Sequence, residues 1–215
     1  MKPLNITILG ATGMVGTRLV TEAVSRGHQV TAAARHPRDS GAASILGLDA
    51  ASPTDLDTAL EDADAAVLTI KAVPETPGAI ERHAAMTSTV LDAAHRHGVL
   101  LLVIGGAGPL RSPDHQELLV VDDPRYVQEK WRDIARASVR QLEACRRHEE
   151  ADWVYLSPPA VLEPGERTGS YRRGVDTLLI DTGGASRISA EDLAVAALDE
   201  LENPSADRHI TVAQA

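Results

Sequence analysis

The 215 residues suffice for one α/β domain or two small ones, and a domain of this size buries roughly 70% of its unfolded surface. Hydrophobic residues at 43% and charged residues at 24% exclude a wholly disordered or collagen-like chain. A balance of 21 basic against 31 acidic residues, net −10, argues against nucleic acid or an anionic membrane as the main partner, while leaving room for a local positive pocket.

The first element is a short apolar strand over 5–9. Residues 10–16 form a glycine-rich turn, and 14–26 carry helical spacing through Val15, Leu19, Val20 and Ala23, ended by Gly27. A second strand spans 30–34 and a weaker third 44–48. Ser52-Pro53-Thr54-Asp55 reads as a helix start, with Ser52 as cap and proline at the first helical position. A fourth strand covers 65–70, and a long helix 79–97 is stopped by Gly98. The wholly apolar run 99–104 suits a central parallel strand. A long helix is expected over 126–148, and a sixth strand over 153–156.

Beyond Ser157 the regularity fades. Pro158, Pro159, Pro164 and Gly165 make a loop, followed by strand-like pieces at 169–173 and 177–180. A helix over 190–201 follows its cap Ser189, and 209–212 reads as a last strand. Strands alternating with helices mean repeated βαβ units, and right-handed crossovers make a doubly wound parallel sheet the natural topology. With no composition break, linker or repeat, one domain over 1–215 is the simplest reading; 110–124 and 157–188 are its variable parts.

The strongest motif is Gly10-Ala11-Thr12-Gly13-Met14-Val15-Gly16, placed directly after a strand and opening a helix. Gly10 permits the tight turn, Gly13 lets a pyrophosphate approach the backbone, and Gly16 lets the helix pack on the strand. The free N–H groups of this stretch, those of Thr12, Met14 and Val15 included, and the helix dipole would hold the phosphates. The alternative is a plain glycine-rich strand-to-helix turn.

The end of the second strand chooses between dinucleotides. An acidic residue there suits a ribose 2′-OH and an arginine suits a 2′-phosphate. The chain has Arg35 and Arg38 and no acid before Asp39, which favours NADP(H) over NAD(H). Asp49, after the third strand, is positioned toward the adenine region or is an ordinary turn aspartate. Lys71, after the fourth strand, is a further candidate contact.

These features resemble the atypical short-chain dehydrogenase/reductase group, and more closely its small NAD(P)-binding members of the NADH–flavin reductase and NmrA-like type. The resemblance rests also on Gly105-Gly106-Ala107-Gly108, Ser157-Pro158-Pro159, the stretch from Gly165 to Tyr171, and the stretch from Ser186 to Asp192, so it runs along nearly the whole chain. It implies a Rossmann fold with a small C-terminal substrate-binding extension, and a cofactor site to which Gly105, Gly106 and Pro158 contribute. It further implies reduction of a flavin, quinone or other conjugated carbonyl compound. Pro158 and Pro159 would flank the nicotinamide.

Enzymes of the wider superfamily use Tyr-x-x-x-Lys, in which the tyrosine exchanges a proton with the substrate and the lysine one turn on lowers its pKa. Tyr126 and Lys130 stand at that spacing between the fifth and sixth strands, and with only three tyrosines and three lysines an accidental pair is rare. The serine partner is absent after the fifth strand, where Ser112 is the first serine, and the only asparagines are Asn5 and Asn203. Catalysis by Tyr126 and Lys130 and direct hydride transfer without them therefore both stay open. The pocket walls are expected at 71–77, 106–110, Tyr126, 157–162 and 167–171, with Lys71 or Arg167 holding an anionic substrate or standing as solvated charges.

His83, His95 and His97 do not share a metal-binding face, and the lone Cys145 excludes a disulfide framework and a cysteine zinc cluster, so no metal is expected. Two Trp, three Tyr and no Phe argue against a base-stacking surface. Trp131 reads as core packing or as an oligomer contact, which leaves a homodimer open. No apolar run reaches the ~20 residues that span a bilayer and no signal-peptide apolar stretch opens the chain, so a cytoplasmic protein with a small-molecule substrate is expected. Three functions follow: an NADPH-dependent reductase of a small conjugated acceptor; a Tyr/Lys-type ketone reductase or epimerase-like enzyme; and a non-catalytic NADP-binding sensor of the NmrA type.

Overall fold

The computed structural model describes residues 2–39, 41–42, 44–73 and 76–215. The chain runs β1 (Asn5–Leu9), α1 (Met14–Ser25), β2 (Gln29–Ala34), β3 (Ser44–Gly47), α2 (Pro53–Leu60), β4 (Ala65–Leu68), α3 (Ala79–His97) and β5 (Leu100–Ile104). It continues through α4 (Arg132–Arg147), β6 (Trp153–Ser157), β7 (Val161–Glu163), β8 (Tyr171–Gly174), β9 (Arg187–Ser189), α5 (Ala190–Glu202) and β10 (His209–Gln214). The main sheet has the order β3-β2-β1-β4-β5-β6-β10-β8. All its neighbours are parallel except β8, which pairs antiparallel with β10 through Tyr171 and Gln214.

The sheet is doubly wound. Leu19, Val20 and Ala23 of α1 and Leu193, Ala197 and Leu198 of α5 share one core with Ile6, Ile8, Val30, Ile104 and Ile210. On the other face Leu56 and Leu60 of α2, Leu91 of α3 and Leu142 and Cys145 of α4 pack on Leu9, Leu68, Leu101 and Tyr155. Each strand alternates its side chains between these layers, so runs such as β4 and β5 are apolar throughout. The carboxyl ends of β1, β4, β5 and β6 therefore open on one edge, where ligands of such sheets bind.

Local signals act as expected at several boundaries. Ser52 accepts the Asp55 N–H at the start of α2, Ser189 accepts the Asp192 N–H at the start of α5, and Gly98 closes α3 at φ 64°.

Three expectations are corrected. The helix expected from residue 126 begins at Arg132, after a single 3₁₀ turn over Glu129–Trp131. Gln128 is extended at ψ 152°, which breaks the helical register between Tyr126 and Lys130. Upstream, the Asp123 carboxylate accepts the Arg125 N–H and is gripped by the Arg125 guanidinium and the Ser112 hydroxyl. Val127 is buried with Leu110, Val120 and Leu178 in a small core of its own, and these longer-range contacts override helical spacing. Second, 177–180 is no strand: Leu178 plugs that small core and Thr177 makes only an isolated bridge to Arg111. Third, β7 and β9, parallel through Val161 and Arg187, form a separate two-stranded sheet that the sequence pattern does not announce. Among the described residues no helix is long and apolar enough to cross a membrane.

Candidate functional site

The glycine turn joins β1 to α1. Gly10 lies at φ 94°, in the left-handed region, and a Cβ there would meet the Thr69 carbonyl oxygen at 2.8 Å. A Cβ on Gly16 would fall 2.2 Å from the Gly10 oxygen, so only glycine lets α1 close on the turn. The N–H groups of Gly10 and Ala11 both donate to Ala33 O at the end of β2. Gly13 caps α1 without a side chain, and the first turn of α1 holds no acidic residue. Of the five α-helices among the described residues, α1 alone lacks both a capping side chain and a first-turn acid. Thr12, Gly13 and Met14 are exposed, while Val15 and Gly16 are buried against the sheet. The start of α1 thus presents N–H groups and a positive dipole end with no internal partner for them.

Beside this turn lies a hollow of about 130 Å³ lined by Ala11, Thr12, Thr17, Ala32, Ala34, Pro37, Arg38 and Asp39. Arg35 is exposed at the end of β2, next to it in sequence. Asp39, read from the sequence only as the first acid after β2, lines the hollow with Arg38 and accepts the Gly41 N–H. Asp49 is exposed, and its carboxylate accepts the Ala51 N–H at the entry to α2, so one oxygen already serves a turn.

The other candidate contacts stand along the strand ends. Gly105 has a packing reason: a Cβ there would lie 1.9 Å from the Tyr155 hydroxyl, which donates to Ser138 O in α4. A Cβ on Gly106 would touch Ser138 at 3.1 Å, and Pro158 is buried directly after β6. Ser157 Oγ lies 3.0 Å from Nε2 of the buried His209, a pair 52 residues apart that sequence reasoning missed. Burial pushes the His209 imidazole down to about 4, so the ring is neutral at pH 7.

Tyr126 and Lys130 do not face each other one helical turn apart. Tyr126 is half-buried on the small core of Leu110 and Val127, with the Arg125 guanidinium 5.4 Å from its ring centroid. Burial pushes its phenol pKa up. Lys130 instead lies over Trp131, its Nζ 5.5 Å from the ring centroid, and Lys71 Nζ reaches the same ring at 5.8 Å. Trp131 is 50% exposed, so it is not core packing. Pro74 and Glu75, within the expected wall 71–77, lie outside the described residues.

Arg167 is held by the fold. Its guanidinium forks onto the buried Glu22 carboxylate of α1, Nε to Oε2 at 2.7 Å and Nη2 to Oε1 at 2.9 Å. Thr168 and Gly169 donate their N–H groups to Asp192 at the start of α5. The stretch 165–169 therefore braces the α1–α5 layer, and the expected pocket wall at 167–171 is corrected to that extent. Among the described residues no cluster of His, Cys, Asp and Glu is arranged to hold a metal ion.

A family model described as NAD(P)H-binding matches residues 10–204. YwnB, an uncharacterized protein of Bacillus subtilis, is 35% identical over 205 residues, 94% of this chain and 93% of its own. A Streptococcus pneumoniae protein provisionally described as an NADH-flavin reductase is 28% identical with a TM-score of 0.88, over 99% of this chain and all of its own. A provisionally assigned epimerase from Bacteroides thetaiotaomicron is 32% identical with a TM-score of 0.87, over 99% and 98% of the two chains.

Proposed function

The chain belongs to the NAD(P)H-binding family, and from that premise we propose that it is an NADPH-dependent reductase of a small conjugated acceptor, a flavin, quinone or carbonyl compound. The observation that carries the reading is the bare start of α1, uncapped and free of acid, opening beside a hollow lined by Arg38. The residues fit a dinucleotide: the N–H groups of Thr12, Met14 and Val15, which have no backbone partner among the described residues, meet a pyrophosphate, and Gly16 removes the Cβ that would push α1 off the turn. Arg38, with Arg35 beside it, supplies positive charge for a 2′-phosphate. The name of the pneumococcal relative supports a reductase, and that of the Bacteroides relative keeps related nicotinamide chemistry in view.

A bound nicotinamide supplies a hydride, so that NADPH, a proton and the acceptor give NADP⁺ and the two-electron-reduced acceptor. The chain's part is to bind and orient. The α1 start holds the phosphates, and the loops after β4, β5 and β6 enclose the acceptor side. The Tyr126 phenol, its pKa pushed up by burial, stays protonated at neutral pH, and Lys130 lies over the Trp131 ring and not one helical turn on from Tyr126. This favours direct transfer, with solvent as the proton source, over the Tyr/Lys mechanism.

Calorimetric titration with NADP⁺ and NAD⁺, followed by NADPH oxidation against flavins, quinones and ketones, tests the reading. We expect NADP⁺ to bind at least about tenfold tighter than NAD⁺, a difference of about 1.4 kcal/mol, and Arg38→Ala to remove most of that preference. Binding without turnover across the panel would point to a regulator, and binding of neither nucleotide would overturn the site.

A further inference from the structure

Trp131 is the largest apolar side chain left in solvent, half exposed on a protein with only five aromatic side chains of Phe, Trp and Tyr type. It does not stand alone. Lys71, three residues past the end of β4, and Lys130, beside it in the chain, each bring an ammonium within 6 Å of its ring centroid. Neither lysine has an ion-pair partner among the described residues, although the chain as a whole carries ten surplus negative charges. The next residue, Arg132, pairs its Nη1 with Glu129 while its buried Nε has no partner. Three basic side chains and one indole thus gather where the loop after β4 meets the start of α4. Thr69, two residues before Lys71, also borders the glycine turn, because its carbonyl oxygen faces the Cβ position of Gly10. The cluster therefore lies at the strand-end edge on which the cofactor reading rests.

We propose that Trp131, Lys71 and Lys130 form the acceptor platform of this protein, and that the acceptor class is a flat aromatic or quinonoid ring bearing a carboxylate, sulfonate or phosphate. The inference deepens the reductase reading and rests on it for the word acceptor. An exposed ammonium over an indole is weakly held. An anionic group on a ligand draws it off the ring into a charge-assisted hydrogen bond, and the flat body of the ligand takes its place on the indole. Neutral rings lose the ionic half of this exchange. The other fate of an exposed tryptophan, cover by a second copy of the chain, does not call for two ammonium groups on the ring.

The test uses ligand pairs that share a ring and differ in charge: flavin mononucleotide against riboflavin, and 2-naphthoate against 2-naphthol. Each is titrated calorimetrically into the whole protein, with and without saturating NADP⁺. We expect the anionic member of each pair to bind about tenfold tighter. Lys130→Met should cut that preference to about threefold, Lys71→Met with Lys130→Met should abolish it, and Trp131→Ala should weaken both members. Thermal melts of these surface variants verify folding. Equal affinity within both pairs, no measurable binding of any of the four, or a preference that survives the double substitution would overturn the platform. A charge preference retained by a protein that binds no NADP⁺ would sustain the platform and sink the reductase reading, so the two fail separately.

Discussion

Helices α1 and α5 lie side by side on one face of the sheet, each running back from the carboxyl ends of the strands, yet they begin in opposite ways. At α5 the start is filled by the chain itself. Ser189 caps it, Glu191 pairs with Arg18 and accepts the Gly165 N–H, and the Asp192 carboxylate accepts the N–H groups of Thr168 and Gly169 and the Thr168 hydroxyl. At α1 a glycine stands where the cap would be and no acid follows. Both ends carry the same partial positive charge. One is engaged in anchoring the segment 165–169; the other has neither a capping side chain nor a first-turn acid, and under the proposed function it receives the phosphates.

The sharpest way to break this contrast is to make α1 begin like α5. Gly13 has φ −77° and ψ 172°, which any residue adopts, and a Cβ there meets nothing closer than Gly10 O at 3.3 Å. Gly13→Asp should fold after a small shift of the Gly10 carbonyl, and should gain a few tenths of a kcal/mol from a new cap. The same carboxylate would sit against the pyrophosphate, where like charges at ~4 Å repel by about 4 kcal/mol. We expect NADP⁺ affinity to fall at least about 100-fold while the urea midpoint rises. Unchanged affinity in a folded variant would remove the phosphates from α1.

The converse change empties the start of α5. Asp192→Ala leaves Thr168 and Gly169 without their acceptor, and hydrogen bonds to a buried carboxylate of this kind are together worth about 2–3 kcal/mol. Stability measured by urea should drop by that amount, with NADP⁺ affinity within about twofold of the parent. A variant that keeps its stability but loses nucleotide binding would invert the roles assigned to the two helix starts.

The same contrast explains what the sequence could reveal. The glycine turn, the caps Ser52 and Ser189, the stop at Gly98 and the doubly wound order are all legible, because each depends on neighbours within a few residues or on simple periodicity. What stayed hidden depends on partners far along the chain. Arg167 is 145 residues from Glu22, and Ser157 is 52 from His209. The late start of α4 follows from the Asp123–Arg125–Ser112 knot and the burial of Val127, not from any break in helical spacing near Tyr126. A conspicuous Tyr-x-x-x-Lys spacing presupposes a helix, and at Gln128 that helix does not exist. The one sign in the sequence was Pro124 beside Asp123, which favours a turn over a helix start so far upstream.

The smallest expected effect concerns the brace between the two helices. The fork from Arg167 is the largest cause holding the Glu22 carboxyl below its ordinary range, helped by Arg26 and opposed by burial. A carboxyl lowered in the fold stabilises it above the unfolded value, about 4.3, and that stability is lost as pH falls through the folded value. Arg167 is about half exposed, so water screens its share to about 1 kcal/mol. Arg167→Gln should therefore cost about 1 kcal/mol at pH 7, and the urea curves of parent and variant should converge as pH drops below 4. Asp57, Asp123 and Glu191 are also held low, so both proteins weaken in acid, and the readout is the gap between them. A gap that stays constant from pH 7 to pH 3 would mean that Arg167 stabilises by packing its stem and not by its charge on Glu22.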